Sequence, residues 1–346
     1  MKPSEILFLT RDDVIVLGGR DMVFATNVIE AMFAAWAQGD VLQPAKTSLK
    51  FTDRAANELI GGVVNVLPAA IRVGDDATYG AKLLGAMPAN VSQGMPRATG
   101  VTVLFDEAHK MPIAIMDAQV LSAMRTGAVS ALAARKLCRQ NTAEIGCIGA
   151  GVNMYTQLLG VLSVLPQVMR VKIYSRGESK QRLVAKLQRK FPQIEFMPVE
   201  SARGAAQTAD LIVTCVANTS EPVVQIRDVL RPGVTVFNIG CLENDPELLA
   251  HMDIIVSDFW EHTKHRGVQT HAVAYARGLI ADEDVVNLGA ILCGEQCGRV
   301  NDEQKIFFGP TGLGAEDIAL GRAIYQRALK RGAGTKLTLW SGESWI

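Results

Sequence analysis

Glu144-Ile145-Gly146-Cys147-Ile148-Gly149-Ala150-Gly151-Val152-Asn153-Met154 is the stretch on which the fold turns. A short apolar run, 145–148, ends in Gly149-Ala150-Gly151, and apolar periodicity resumes through Leu159, Leu162 and Leu165. That order predicts a strand, a tight turn and a helix. Gly149 lets the chain turn sharply. Gly151 has no side chain, so the backbone there can approach a pyrophosphate, whose charge the free N–H groups of the helix start would face. Ala150, Val152 and Asn153 complete the candidate phosphate loop. The third small position of the full dinucleotide fingerprint is filled by Met154, so the turn alone does not establish the ligand.

From 144 to about 257 the pattern is β-α repeated. Strands are predicted at 145–148, 171–174, 211–215, 235–239 and 254–256, with helices between them, including Ser179–Lys190. Such alternation implies an α/β fold with a parallel sheet covered on both faces, and ligands beyond the carboxyl ends of its strands. One strand end reads Tyr174-Ser175-Arg176. A carboxylate there would bind the 2′-hydroxyl of NAD; Ser175 and Arg176 suit a 2′-phosphate, which favours NADP, the plain alternative being an exposed turn arginine. Cys215-Val216-Ala217 is small enough to lie against a cofactor, and Gly240 closes a third strand end. Asp258, His262, His265 and Arg266 follow at helix-like spacing and are expected on a solvated helix face, the alternative being a substrate gate; no metal site is expected, because no second carboxylate–histidine cluster stands out. Gly309, Gly312 and Gly314 crowd a turn before a helix over about 316–330, which places backbone, Gly312 included, against something flat or polar. Residues 332–346 read as a short ordered or fraying end.

The N-terminal part reads differently. A strand at 6–9 precedes a helix with apolar positions Val23, Val28, Ile29, Met32, Phe33 and Trp36, ended by Gly39-Asp40. An extended stretch at 47–51 follows Lys46. Runs at 61–67 and 79–86 alternate in a β manner, and 101–105 with 112–117 predicts a hairpin. Lys82 interrupts a small, apolar run, where a lysine either snorkels to water or meets an anion. Arg125 sits in the early turns of an Ala-rich helix over 119–138. The helix dipole favours anions at that end, so Arg125 either binds an anion or makes a surface ion pair.

Composition limits the alternatives. A chain of 346 residues with 49% hydrophobic residues and 31 Gly fits an α/β protein of two domains. Lys plus Arg and Asp plus Glu are 35 each, so no general affinity for nucleic acid or membrane surfaces is expected. Cysteines at 138, 147, 215, 241, 293 and 297 match neither a redox pair nor a zinc knuckle. The start of the chain lacks a signal-peptide pattern and no apolar run spans a bilayer, so a cytoplasmic protein is expected.

Taken together, Gln43-Pro44-Ala45-Lys46, Ala81-Lys82, Ser122-Ala123-Met124-Arg125-Thr126-Gly127-Ala128, Ile148-Gly149-Ala150-Gly151-Val152 and the stretch from Phe307 to Ile318 resemble the ornithine cyclodeaminase/μ-crystallin family. The resemblance covers almost the whole chain. It implies a homodimer with a substrate and dimerisation domain of α+β type, 1–120 plus 318–346, and an inserted Rossmann-type NAD(P)-binding domain, 121–317. The N-terminal sheets of two subunits would pair. It also implies that Lys46 (usually Arg), Lys82 and Arg125 hold a substrate carboxylate, with Lys82 able to move a proton. Arg125, Thr126 and the helix start would lie near the cofactor phosphates.

One departure separates branches of the family. Cyclodeaminases carry an Asp shortly after the strand that here ends near Ile239; a direct count places Leu242 there. Glu243 or Asp245 replaces it only if the loop shifts, and Asp245-Pro246 reads as a helix start. The resemblance therefore implies an NAD(P)-dependent oxidoreductase acting at the C–N bond of an amino acid: a dehydrogenase, an oxidative cleaver of N-substituted amino acids, or an imine reductase. The alternatives are a cyclodeaminase releasing ammonia and a ligand-binding protein of μ-crystallin type. The expected partners are a small amino-acid or imine substrate and a second copy of the chain.

Overall fold

The computed structural model describes residues 4–50, 61–216 and 221–342. In chain order the strands are β1 (Ser4–Leu9), β2 (Val41–Leu42), β3 (Thr47–Leu49), β4 (Val63–Val73), β5 (Asp76–Ala86), β6 (Ala98–Phe105), β7 (Pro112–Asp117), β8 (Glu144–Ile148), β9 (Arg170–Tyr174), β10 (Glu195–Pro198), β11 (Leu211–Thr214), β12 (Thr235–Asn238), β13 (Ile254–Ser257), β14 (Val285–Asn287), β15 (Ile306–Gly309) and β16 (Thr335–Trp340). The chain divides into two compact units, Met1–Arg125 with Leu313–Ile346, and Thr126–Gly312. The sequence reading sets its borders at 120/121 and 317/318, about five residues from each of these.

In the first unit the sheet runs β16-β1-β7-β6-β5-β4-β2, with β3 also paired to β4. All neighbours are antiparallel except β1 and β7. The hairpin forms where its turn chemistry directs: Asp106 accepts from the His109 and Met111 amides at 2.7 and 2.9 Å. Side chains alternate across the sheet. One row, Leu67, Lys82, Thr102 and Met116, is in register across β4 to β7 and fully buried. The helix Gly314–Arg331 packs on β4, β5 and β6, bringing Gly321 against Thr102 and Met116. The next row, Val66, Leu83 and Val101, turns to the opposite face. There Leu83, Val101, Val64 and Leu49 are exposed.

The helix Met22–Ala37 is capped by Asp21, which accepts from the Phe24 amide, and buries Ile29, Met32 and Phe33. Val23, expected on that stripe, is exposed; the buried first-turn residue is its neighbour Met22. The 332–346 segment holds a true strand. β16 pairs antiparallel with β1, Leu337 opposite Ile6.

In the second unit the sheet is parallel throughout, in the order β10-β9-β8-β11-β12-β15-β13-β14. The strands expected from the sequence are present, with ends moved by a residue or so. β10, β14 and β15 were not expected. β15 lies between β12 and β13 and is fully buried, so it shows the unbroken apolar pattern of a central parallel strand rather than alternation. The helix Val152–Val164 packs closely on residues 127–131 of the Gln119–Leu137 helix, so that a Cβ on Gly160 would stand 2.1 Å from the Gly127 carbonyl. The core gathers Ile148, Ile212, Val236, Leu248 and Phe307. Beside it, His271 stacks on Trp260, with ring centroids 5.5 Å apart, and touches Phe307. Neither of its ring nitrogens has a hydrogen-bond partner, and burial pushes its pKa down to about 3. Among the described residues no helix is long and apolar enough to cross a membrane.

Candidate functional site

The carboxyl ends of β9, β8, β11, β12, β15 and β13 form one edge of the second unit's sheet. The chain leaves β8 in opposite lateral directions, toward β9 on one side and β11 on the other. This is the switch point at which open parallel sheets form a crevice. Gly149 stands there with φ +113°, a conformation that L residues rarely adopt. A Cβ on it would lie 2.2 Å from the Cys215 carbonyl. Its amide donates to the Tyr174 carbonyl at 2.8 Å, tying the turn to β9. Gly151 is the N-cap of Val152–Val164 and offers no side-chain cap; the space above its Cα is open. The first N–H groups of that helix therefore lack an intrahelical acceptor and face an uncrowded surface. Val152 and Asn153 are exposed, Ala150 is half-buried, and Met154 is fully buried beneath them. This is a cradle that a phosphate-bearing dinucleotide fits.

The other expected residues of this edge fall into place by strand. Ser175 and Arg176 follow β9; the Ser175 hydroxyl is 2.8 Å from that of Ser179, and Arg176 is exposed. Cys215 and Val216 follow β11, half-buried. Ala217 lies outside the described residues. Gly240 follows β12, and Gly312 follows β15. Thr126, half-buried, is the first residue of this unit.

Two carboxylates hold these loops from beneath; the sequence reading left the role of Glu243 open and expected Asp258 on a solvated face. Glu243 is fully buried. It accepts from the Val216 amide, from the Gly240 amide at 2.9 Å and from the Thr214 hydroxyl at 2.8 Å. Burial raises its pKa to about 7 against the opposing pull of those donors. Asp258 is also buried rather than on a solvated face. It accepts from the Thr311 amide and hydroxyl at 2.7 and 2.8 Å and from the Gly312 amide at 2.6 Å. The expected single face does not form, because Asp258 precedes the short helix Trp260–Thr263 and Lys264–Arg266 is a separate 3-10 turn. Asp245 caps the 3-10 helix Pro246–His251 by accepting from the Glu247 amide, as its proline-led sequence directs. Leu242 is half-buried. Among the described residues no group of three or more His, Cys, Asp or Glu is arranged to hold a metal ion.

In the first unit Lys82 and Arg125 meet, although neither stands as an open cation. Lys82 is 1% exposed and Arg125 8%. Lys82 Nζ is 2.6 Å from Asp317 Oδ2 and donates to Ser122 Oγ at 3.0 Å. Arg125 donates to Glu316 Oε2 at 2.7 Å, and its Nε is 3.3 Å from Asp317 Oδ1. The reason is electrostatic: cations this deep need counter-charges, and the first turn of Gly314–Arg331 supplies two. Burial and the charge of Arg125 bring the Lys82 ammonium down to about 8, against the pull of Asp317 and Glu316. Lys46 precedes β3, whose Thr47 pairs with Val66; Leu67, the next residue of β4, pairs with Lys82. Continuing that register sets Lys46 two strands from Lys82, roughly 10 Å in backbone distance. Ser122, Glu316 and Asp317 were not singled out from the sequence as site residues. The signal was a Glu-Asp pair on a helix whose other first-turn positions are apolar, but acids at a helix start have an ordinary reading through the dipole.

A family model described as "Ornithine cyclodeaminase/mu-crystallin family" matches residues 6–332. N-((2S)-2-amino-2-carboxyethyl)-L-glutamate dehydrogenase of Staphylococcus aureus is 31% identical over 97% of this chain and 99% of its own length. Among solved structures, Thermococcus litoralis Delta(1)-pyrroline-2-carboxylate reductase in complex with NADH and L-proline superposes with a TM-score of 0.86 at 26% identity, covering 95% of this chain and 99% of that one. An archaeal alanine dehydrogenase dimer with bound NAD also reaches 0.86, at 28% identity, covering 97% and 100%.

Proposed function

The chain belongs to the ornithine cyclodeaminase/mu-crystallin family, and on that premise we propose that it is an NAD(P)-dependent oxidoreductase acting at the C–N bond of an amino acid, as a dehydrogenase or, in the opposite direction, an imine reductase. The observation that carries the proposal is the pair of buried cations, Lys82 and Arg125, braced by Glu316 and Asp317. When bound at the Gly149-Ala150-Gly151 cradle, the nicotinamide accepts or returns the hydride. The protein supplies orientation and charge. Arg125, with Lys82 and Lys46, holds the substrate carboxylate. Lys82 carries the proton that the substrate amine loses or gains, and a value near 8 suits it to that task.

The similarity of cofactor-bound relatives supports a nicotinamide cofactor. We take NADP as the preferred form, because Ser175 and Arg176 stand where a carboxylate would select NAD. Arg176→Ala is then expected to lose roughly tenfold or more in kcat/KM with NADP, with little change for NAD. Cyclodeaminase chemistry is disfavoured, because Glu243 and Asp245 are both engaged in holding backbone. A second copy of the chain fits the exposed apolar face formed by Leu49, Val64, Leu83 and Val101.

The test is a nicotinamide absorbance assay with NADP and with NAD against amino acids, N-substituted amino acids and cyclic imines, with ammonia measured in the same samples. Net cofactor reduction with an amino acid, or oxidation with an imine, is the expected result. Ammonia release without net cofactor change would restore the cyclodeaminase reading. Cofactor binding without turnover of any of these would leave a binding protein.

A further inference from the structure

Among the described residues Asp317 forms ion pairs with both buried cations. Its Oδ2 is 2.6 Å from Lys82 Nζ, and its Oδ1 is 3.3 Å from Arg125 Nε. Asp317 itself is fully buried in the first turn of Gly314–Arg331. Lys82 Nζ donates to Ser122 Oγ and stands in ion-pair contact with Asp317. Among the described residues the charged groups facing Lys82 are Arg125 from the Gln119–Leu137 helix and Asp317 and Glu316 from the Gly314–Arg331 helix. The flanking strands bring only Leu67 and Thr102 to it.

Resting on the oxidoreductase reading above, we propose that Asp317 is a positioning residue for the reaction: it fixes Lys82 and Arg125 on its two oxygens and sets the protonation state in which Lys82 meets the substrate amine. In the oxidative direction an N–H bond of the substrate ammonium breaks and its proton passes to neutral Lys82 Nζ. The nitrogen lone pair then forms the C=N bond as the Cα hydrogen leaves as hydride to the nicotinamide. Lys82 emerges as a cation beside Asp317 and returns the proton to water. Imine reduction runs the same transfers backwards. A carboxylate in contact holds the lysine proton more tightly, so without Asp317 the amine would become neutral at a lower pH and lose its fixed direction.

The first arm of the test needs no substrate. Lysine side chains carrying 13C are titrated by NMR in the full-length protein, and Lys82 is assigned by its loss in Lys82→Met. In Asp317→Asn its midpoint is expected to fall by about one unit or more, whereas Asp317→Glu, which keeps the charge, should hold it near the wild-type position. The second arm measures kcat and KM across pH in the same proteins. The acid limb of kcat in Asp317→Asn should move down with the NMR midpoint, and kcat should drop more than tenfold while KM for the substrate changes less. An unchanged Lys82 midpoint overturns the proposal, as does an acid limb that stays in place while the midpoint falls. Should Asp317→Asn not fold, Asp317→Glu decides: a lower kcat with the acid limb unmoved supports positioning, and a wild-type kcat overturns it. If the wild-type protein turns over no amino acid or imine, the oxidoreductase reading fails, and the titration still reports whether Asp317 governs Lys82.

Discussion

His271 shows how burial alone sets a residue's chemistry. With no hydrogen-bond partner and aromatic neighbours, its neutral form is the one the fold accepts, and its pKa falls from 6.5 to about 3. The unfolded chain takes up a proton below 6.5, and the folded one does not until about 3. Stability is therefore lost as pH falls through that window, by about 1.4 kcal/mol per pH unit where the difference is full. His271→Leu, close in volume and unable to titrate, should flatten this loss in urea unfolding measured from pH 6.5 down to 3. Glu243 has the opposite sign. Its pKa rises from 4.5 to about 7, so the folded state holds a proton that the unfolded state releases, and stability falls as pH rises between those values. Glu243→Gln should remove that slope. It should also cost about 1–3 kcal/mol at pH 7, because an amide NH2 would then face donors at Val216 or Gly240. Both effects are readable by chemical denaturation at fixed temperature.

Between elements, one contact that tolerates little change is that between Gln119–Leu137 and Val152–Val164. In a free helix Ala is better than Gly by about 1 kcal/mol. At Gly160 the added methyl would meet the Gly127 carbonyl at 2.1 Å, and backbone cannot step aside as a side-chain tip can. The steric effect wins, so Gly160→Ala is expected to destabilise by about 1–3 kcal/mol, seen as a lower urea midpoint with an unchanged m-value. Elements were legible in the sequence where local chemistry alone determines them. The strand and turn around Gly149 and the hairpin at Asp106 are cases of that kind. β15 was hidden because Phe307-Phe308 is followed at once by Gly309-Pro310, and glycine density masked a strand whose pairing is wholly non-local. β16 was hidden because all its partners lie at the far end of the chain. The site was legible in its cations and not in its anions: a lysine inside an apolar run is conspicuous, whereas Glu316 and Asp317 at a helix start are not. Likewise Asp258 looked solvated because spacing cannot distinguish an exposed acid from one whose oxygens are taken by the amides of Thr311 and Gly312.

At the scale of the whole molecule, the first unit's sheet has one face under the Gly314–Arg331 helix and one left apolar and open. Leu83 and Val101 are opposite each other on neighbouring strands, with Leu49 and Val64 paired further along the same face. Such a patch on a single subunit calls for a covering partner. A symmetric dimer makes the patch its own complement. In the dimer proposed above, Leu83→Asp should shift the mass toward monomer in sedimentation velocity, raising the dissociation constant at least about a hundredfold, while Val16→Asp, at another exposed apolar position, should leave it unchanged.

The pairing of Arg125 with Glu316 joins residues 191 positions apart. A chain leaving the ribosome therefore displays Lys82 and Arg125 well before it displays the groups that neutralise them. Until Gly314–Arg331 has been synthesised, Lys82 and Arg125 lack Asp317 and Glu316, and β1 still lacks its partner β16. The Thr126–Gly312 segment, by contrast, holds every strand of its own sheet. It can close first, during translation, while the flanking parts wait for release of the chain. A nascent polypeptide stopped short of residue 314 would have the Gly149 cradle complete while Lys82 still lacked the helix that buries it.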